Sequence, residues 1–261
     1  MSRISGCLAA LQQENKKALI PYITAGDPNE GLSLELMHSL VDAGADIIEL
    51  GVPFSDPMAD GPVVQRAAER ALQHQFSLRQ TLQLVQQFRR TNNATPVVLM
   101  GYLNPMEIMG IQVFCDTAVT VGVDGVLTVD MPPEEAEDWL KELYQRDIDP
   151  IFLIAPTTNE KRISIISDST RGYLYYVAVK GISGAGHLDV SEVSKKLSQI
   201  RKLTSLPIGV GFGIKDGNSA AAIAEIADAV VVGSAVIQRV EQNLSDPKKI
   251  VSEVSSFIRS L

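Results

Sequence analysis

DIIELGVPFSDPMADGP, residues Asp46–Pro62, begins with an apolar run that predicts a strand buried on both faces, as in a parallel sheet covered by helices. Side chains alternate along a strand, so Glu49 shares one face with Ile47 and Gly51. A buried carboxylate is unfavourable unless it is paired or used in chemistry. Glu49 is therefore either half of a structural ion pair or a working acid–base group.

The loop after this strand supplies a second carboxylate. Asp60 lies just past the predicted strand, and Gly61-Pro62 closes the loop. One carboxylate fixed on a strand and another carried on a loop can be tuned to different pKa values and given different chemical roles. Taken alone, Asp60 would also fit an ordinary turn residue.

Seven other apolar runs have the length of a strand. With the first, the predicted strands are Ala18–Thr24, Asp46–Val52, Pro96–Tyr102, Gly125–Asp130, Pro150–Pro156, Gly172–Val179, Pro207–Gly213 and Asp228–Ser234. Helical patterns separate them, and eight strands alternating with helices in 261 residues are typical of a (β/α)8 TIM barrel. A doubly wound sheet is the alternative, but it usually has a glycine fingerprint after its first strand, and Ile23–Pro28 lacks it.

We therefore predict one (β/α)8 barrel domain over residues 1–261. The segment Met1–Lys17 predicts an N-terminal helix. The long interval between the second and third strands contains two helical patterns, Pro62–His74 and Leu78–Arg90, so it holds an extra helix. Helical patterns elsewhere include Gly31–Gly44 and Pro133–Arg146.

Net charge and cysteine content exclude several classes of protein. A net charge of −8 argues against binding to nucleic acid or to an anionic membrane, since both require a basic face. Cys7 and Cys115 have no metal-binding or redox spacing, which favours reduced residues in the cytoplasm. We find neither a signal-peptide layout nor an apolar run approaching the ~18 residues of a membrane span.

Polar and glycine residues cluster where barrels place their active sites, at the carboxyl ends of the strands. After the last two strands, Gly211, Gly213, Gly233 and Ser234 would expose backbone N–H groups near a helix start. Such groups bind a phosphate without needing basic side chains. The glycine-rich segment Gly181–His187, which includes Gly184, could close over the same phosphate.

Other interpretations of the strand ends stay open at this point. Tyr22, Tyr102 and Tyr175 could simply fill the mouth of the barrel. Lys180 ends the sixth strand and could form a Schiff base, as in an aldolase. The scattered histidines and acidic residues do not predict a metal site.

Several segments, in order along nearly the whole chain, resemble one family, the alpha subunit of tryptophan synthase. They are Pro21–Pro28, Glu49–Pro62, Met100–Pro105, Asp130–Ala136, Ala155–Thr158, Tyr175–Asp189, Val210–Ile214 and Val230–Ala235. The Glu49–Pro62 segment, ELGVPFSDPMADGP, is the most specific of them. Two departures are mild: Ile182-Ser183 stands where the family usually has Val-Thr, and Tyr22 where phenylalanine is frequent.

The resemblance implies a lyase that cleaves indole-3-glycerol phosphate to indole and glyceraldehyde 3-phosphate in tryptophan biosynthesis. It implies that Glu49 and Asp60 are catalytic. The implied substrate-binding residues are Tyr22, Met100, Tyr102, Leu127, Val129, Leu153, Tyr175 and Ser183. The implied phosphate-binding residues are Gly184, Gly211, Phe212, Gly213, Gly233 and Ser234.

The resemblance also implies a partner. This is the beta subunit, which carries pyridoxal phosphate and forms an α₂β₂ tetramer with the alpha subunit, whereas the alpha subunit itself needs no cofactor or metal. Two alternatives are kept: an aldolase that uses Lys180, and a catalytically idle subunit that only activates its partner. Intact Glu49 and Asp60 argue against the idle subunit.

Overall fold

A computed structural model describes residues 2–178, 189–211 and 213–261. The strands are β1 (Ala18–Thr24), β2 (Ile48–Gly51), β3 (Val97–Gly101), β4 (Gly125–Thr128), β5 (Asp149–Ile151), β6 (Leu153–Ile154), β7 (Leu174–Val177), β8 (Ile208–Gly211) and β9 (Ala229–Val232). The helices are α1 (Arg3–Gln13), α2 (Glu30–Asp42), α3 (Pro62–Gln73), α4 (Leu78–Arg89), α5 (Leu103–Met109), α6 (Ile111–Val121), α7 (Glu137–Gln145), α8 (Glu160–Ser169), α9 (Val190–Ile200), α10 (Gly217–Ala224), α11 (Ser234–Gln242) and α12 (Pro247–Arg259).

All strand pairs are parallel, and the sheet closes on itself. The order is β5-β4-β3-β2-β1-β9-β8-β7-β6. Only Phe152 separates β5, which pairs with β4, from β6, which pairs with β7. The two ends of the sheet are therefore two halves of one chain segment, and the strands form the predicted barrel.

Each predicted strand contains an observed one, but one of them is divided. The predicted strand Pro150–Pro156 holds β6 and all of β5 except its first residue, Asp149, with an interruption at Phe152. The interruption marks the change of partner, since the first half pairs with Gly125–Leu127 and the second with Tyr175–Tyr176. Several other strands are shorter at one or both ends than the apolar runs that predicted them.

The helices follow the prediction between β2 and β3 and depart from it elsewhere. Both α3 and α4 are present, so the extra helix is confirmed. Between β3 and β4 there are also two helices, α5 and α6, where the alternation of strands and helices predicted one; α5 is the additional helix. The predicted helix Pro133–Arg146 is divided into a 3-10 turn, Pro133–Glu135, and α7, with the fully buried Ala136 between them.

The core has two layers, separated by the wall of the barrel. Residues that point outward from the strands, such as Ile48 and Leu50, pack against the helices. Residues that point inward, such as Ile47 and Val98, fill the interior. Helix α1 contributes Ile4 and Leu8 to that interior cluster and so plugs one end of the barrel. Glu49 alternates with Ile48 and Leu50 and therefore faces inward, on the same face as Ile47, as the alternation predicted.

Aspartates fasten three strand pairs at the amino-terminal end of the barrel. Asp46 precedes β2 and accepts the amide of Leu19 on β1 at 2.8 Å. Asp124 precedes β4 and accepts the amide of Val97 on β3 at 2.8 Å. Asp228 precedes β9 and accepts the amide of Ile208 on β8 at 2.9 Å. We call these residues the foot aspartates.

Candidate active site

A cavity at the carboxyl ends of the strands is lined by most of the predicted site residues that the structure describes. Its lining consists of Tyr22, Glu49, Asp60, Gly61, Val64, Met100, Tyr175, Gly213, Ile214, Val231, Gly233 and Ser234. Both predicted carboxylates are in this set, as are two of the predicted tyrosines and part of the predicted glycine cluster. The cavity therefore extends from the two carboxylates, Glu49 on β2 and Asp60 on the loop after it, to the helix start that follows β9.

Glu49 is a buried acid with no counter-charge among the residues that the structure describes. Its side chain lies between Tyr22 on β1 and Val98 on β3 in the strand register, and the residue is 1% exposed. Within the described ranges, its Oε1 atom has no hydrogen-bond partner. Burial raises the pKa of Glu49 to about 8. The carboxyl group is therefore protonated at neutral pH and can donate a proton to a ligand in the cavity.

This burial should make the fold less stable as the pH rises from about 4.5 to about 8. Between the ordinary pKa of 4.5 and the raised value of about 8, the folded chain keeps a proton on Glu49 that the unfolded chain releases. The free energy of unfolding then falls with pH, by about 1.4 kcal/mol per pH unit. Above about 8 the carboxyl is ionised in both states, and the loss stops.

Glu49→Gln cannot ionise, so its advantage in stability over the wild type should grow across that window and then level off. Urea unfolding midpoints of both proteins, measured at several pH values, test this. Glu35→Gln is the matched control, because Glu35 lies on the exposed face of α2. A difference between Glu49→Gln and wild type that does not change with pH would show that Glu49 is ionised in the folded chain.

Asp60 is held by a hydroxyl group from the neighbouring strand end. The Tyr102 hydroxyl donates to Oδ2 of Asp60 at 3.1 Å and accepts the amide of Ala59 at 2.9 Å. Burial raises the pKa of Asp60 to about 6, and the Tyr102 hydrogen bond opposes that rise. Asp60 is therefore mostly ionised at neutral pH, whereas Glu49 is not. The two carboxyl groups have different charges in one cavity, which suits different chemical roles.

The loop before α3 has further anchors. Gln65 donates from Nε2 to the backbone carbonyl of Asp60 at 2.8 Å. The rings of Phe54 and Tyr102 are in contact, with centroids 5.2 Å apart. These contacts fix the carbonyl and carboxylate of Asp60 relative to β3 and α3. By contrast, Asp56 in the same loop is exposed and bonds to the adjacent Ser55 hydroxyl.

Two tyrosines reach over glycines on the next strand. Any side chain at Gly51 would collide with the Tyr22 hydroxyl, and any side chain at Gly211 would collide with the Tyr175 hydroxyl. The Tyr22 hydroxyl lies 3.2 Å from Oγ1 of Thr24. Gly211 is thus required for the close approach of Tyr175.

The start of helix α11 forms one end of the cavity. Gly233 and Ser234 both line it, and no side chain of the described residues caps the first turn of this helix. Free N–H groups at a helix start, with the positive end of the helix dipole, form an anion site. Gly213, which lines the cavity after β8, has a φ of +82°, a conformation that favours glycine. Gly213 therefore contributes backbone atoms, and no side chain, to the lining of the cavity.

Comparison with known proteins agrees with this geometry. The sequence model of the family described as "Tryptophan synthase alpha chain" matches residues 8–261. This chain belongs to the tryptophan synthase alpha chain family. The alpha chain of Marinobacter nauticus is 54% identical over 261 residues, covering 100% of this chain and 97% of that one. The alpha chain of Thioalkalivibrio sulfidiphilus is 56% identical over 262 residues, covering 99% and 98%.

Solved structures of the alpha chain family share the fold. The crystal structure of tryptophan synthase subunit alpha from Legionella pneumophila has a TM-score of 0.93 and 44% identity, and the match covers 100% of this chain and 97% of that one. A chain in the tryptophan synthase complex from Pyrococcus furiosus has a TM-score of 0.83 and 34% identity, covering 94% and 97%. The predicted barrel and the family resemblance are both confirmed.

Some predicted site residues of this alpha chain family member lie away from the cavity lining. Leu127 is buried in the interior cluster, and Val129 and Leu153 pack against it. Tyr102 contacts Asp60, and Gly211 contacts Tyr175. Their contact with a ligand stays a prediction. Ser183, Gly184 and Phe212 lie outside the described residues, as do Lys180, Gly181 and His187.

Four residues of the lining were not predicted from the sequence: Gly61, Val64, Ile214 and Val231. Gly61 and Val64 could have been predicted from the sequence. The predicted helix starts at Pro62, two residues after Asp60, so its first turn is close to the same cavity. Val231 follows from alternation along β9, since it shares a face with Ala229 and Gly233. Ile214 is adjacent to Gly213, which was predicted.

Metal-binding clusters and membrane-spanning helices are both absent from the described part of this chain. No group of three or more His, Cys, Asp or Glu residues in it is arranged to hold a metal ion. Each of its helices is too short or too polar to span a bilayer.

Proposed function

We propose that this chain is the lyase subunit that cleaves indole-3-glycerol phosphate to indole and glyceraldehyde 3-phosphate by a retro-aldol reaction. The observation that carries the proposal is the pair of carboxyl groups in one cavity. Glu49 is buried and protonated at neutral pH, whereas Asp60 is mostly ionised. Family membership supports the same reaction.

In the proposed mechanism, Glu49 is the general acid and base. Its carboxyl proton passes to indole C3, and the indole nitrogen becomes positively charged. The resulting carboxylate removes the proton of the adjacent substrate hydroxyl, whose electrons form the aldehyde carbonyl as the carbon–carbon bond breaks. The electrons of that bond return to the ring and restore neutral indole. Glu49 ends the cycle protonated, and no cofactor or metal takes part.

Asp60 is proposed to stabilise the cationic intermediate. Its carboxylate would accept the indole N–H and lie close to the positive charge that develops on that nitrogen. The Tyr102 hydroxyl supports this role by keeping Oδ2 in place and opposing the rise in pKa that burial causes. Tyr22, Met100 and Tyr175 would surround the indole ring.

The phosphate is proposed to bind at the start of α11. Gly213, Gly233 and Ser234 offer backbone there, and the helix dipole favours an anion. A local backbone site suits a chain whose net charge is −8, because such a chain has no general attraction for anions. Gly184, Phe212 and Ser183 are proposed to complete the phosphate and glycerol contacts.

A beta subunit is proposed as the partner, in an α₂β₂ assembly, with pyridoxal phosphate bound by that partner only. The Pyrococcus furiosus relative was solved as a tryptophan synthase complex, which supports this partnership. We also propose a cytoplasmic location, because Cys7 and Cys115 are both free, as is usual in a reducing compartment.

The test is indole release from indole-3-glycerol phosphate by the purified chain, alone and with a tryptophan synthase beta chain. We expect slow release alone and faster release with the partner. An idle subunit would raise the partner's rate and release no indole. Borohydride trapping with substrate would label Lys180 only if the chain worked as a Schiff-base aldolase.

The rate of cleavage should have a bell-shaped dependence on pH. The reaction needs Asp60 ionised and Glu49 protonated, so kcat/KM should rise as the pH passes about 6 and fall as it passes about 8. Initial rates at low substrate concentration across this range measure both limbs. A rate that keeps rising above pH 8 would mean that ionised Glu49 is the active form.

A further inference from the structure

An ion-pair ladder lies behind the cavity and joins three elements. Arg70 on α3 donates from Nε and Nη2 to the two carboxylate oxygens of Asp27, at 2.7 and 2.9 Å. Its Nη1 atom donates to Oε1 of Glu241 on α11 at 3.0 Å. Glu241 is in turn bound by both Nε and Nη2 of Arg66, at 2.6 and 2.8 Å. The ladder therefore connects the loop after β1 with α3 and α11.

The inner part of this ladder is buried and the outer part is exposed. The side chain of Asp27 is 1% exposed and that of Arg70 is 16% exposed, whereas that of Arg66 is 48% exposed. Exposed pairs contribute little because water screens them, but a buried carboxylate depends strongly on its partner. Arg70 is thus the member that the packing depends on, and Arg66 is the natural control.

The two helices in the ladder begin at the two functional ends of the cavity. Helix α3 starts at Pro62, directly after Asp60 and Gly61, and α11 starts at Ser234. Ala67 of α3 and Ile237 of α11 pack with Tyr22, which lines the cavity. Helices are stiff, so fixing α3 against α11 at the ladder also fixes Asp60 relative to the helix start that faces the cavity.

We propose that Arg70 is a positioning residue: by binding Asp27 and Glu241 together, it sets the distance between Asp60 and the anion site at the start of α11. The inference rests on the proposed function. The phosphate of the substrate is bound at one end of the cavity and the indole nitrogen at the other. Arg70 therefore determines how well phosphate binding brings the indole into register with Asp60 and Glu49.

The test compares two substrates, indole-3-glycerol phosphate and indole-3-glycerol without the phosphate. If Arg70 only stabilised the fold, its loss would slow both substrates equally. If it positions the two ends of the cavity, the advantage that the phosphate gives should shrink. Arg70→Lys keeps the charge but cannot bind Asp27 with two nitrogens while reaching Glu241.

For Arg70→Lys we expect kcat on the phosphorylated substrate to fall ~10-fold, since displacements of order 1 Å in a reacting pair have effects up to ~100-fold. The rate on indole-3-glycerol should change less than ~3-fold. Glu241→Gln keeps the Asp27–Arg70 pair, so it should fold even if Arg70→Lys does not, and should shift the ratio in the same direction by a smaller factor. Arg66→Gln, which touches only the exposed pair, should leave the ratio unchanged.

All assays use the full chain with a beta chain present, and circular dichroism melts follow the folded fraction. Equal losses on both substrates, or no loss in Arg70→Lys and Glu241→Gln, would overturn the inference while leaving the proposed function in place. Failure of the folded wild-type chain to cleave indole-3-glycerol phosphate would overturn the proposed function, and this inference with it.

Discussion

Replacing Glu49 with glutamine is expected to lower the turnover of indole-3-glycerol phosphate at least ~100-fold, the lower end of what a general acid–base group contributes. Glutamine keeps the shape of the side chain but can neither deliver a proton to indole C3 nor remove one from the substrate hydroxyl. The fold should persist, because the wild-type carboxyl is already uncharged at neutral pH and has no ion pair to lose in the described part of the chain.

The loss should appear in kcat and not in ligand binding. We expect inorganic phosphate and indole to bind the Glu49→Gln protein as they bind the wild type, by isothermal calorimetry. Glu35→Gln, the exposed control on α2, should have wild-type kinetics. A Glu49→Gln protein with a turnover near that of the wild type would remove Glu49 from the mechanism.

Asp60→Asn should also lower kcat at least ~100-fold, because removing one group that stabilises developing charge commonly has an effect of ~100- to ~1,000-fold. The amide oxygen can still accept the Tyr102 hydroxyl, so the loop should keep its anchor. What is lost is the negative charge beside the indole nitrogen. The effect should therefore be largest on cleavage and small on the binding of phosphate at the other end of the cavity.

The matched control for Asp60→Asn is Asp56→Asn, which removes a carboxylate from the same loop. Asp56 is exposed and contacts only its neighbour Ser55 among the interactions described for its side chain. For the chain assayed without a partner, Asp56→Asn should leave kcat close to the wild-type value. Similar losses in the two variants would indicate a general effect of loop charge, and unchanged kinetics in Asp60→Asn would make Asp60 a turn residue.

The sequence alone was sufficient for the barrel because its information is local. Apolar runs of strand length and the helical patterns between them repeat along the chain. Each can be recognised from about ten consecutive residues. The break at Phe152 could not be predicted in this way, because it reflects the closure of the sheet. One chain segment pairs first with β4 and then with β7. Helix α5 was missed because its seven residues are too few to establish a helical period.

The candidate site shows the same limit. Glu49 stood out because a single carboxylate interrupts a buried strand. The bond between Tyr102 and Asp60, and the one between Arg70 and Asp27, each join residues more than 40 positions apart in the sequence. No local pattern contains such a pair, so the sequence predicted many of the residues at the cavity one by one, and the structure supplied the bonds between residues.

The foot aspartates divide the barrel wall into self-contained pieces. Each of these bonds stays inside one strand–helix–strand unit: β1 to β2, β3 to β4, and β8 to β9. A chain cut between two such units breaks none of the three bonds, whereas a cut inside a unit separates an aspartate from its amide. The boundaries between units, such as the long connection from β2 to β3, are therefore the places where the chain could be divided into complementing fragments or given new termini. Each aspartate would then stay on the same fragment as the amide that it binds.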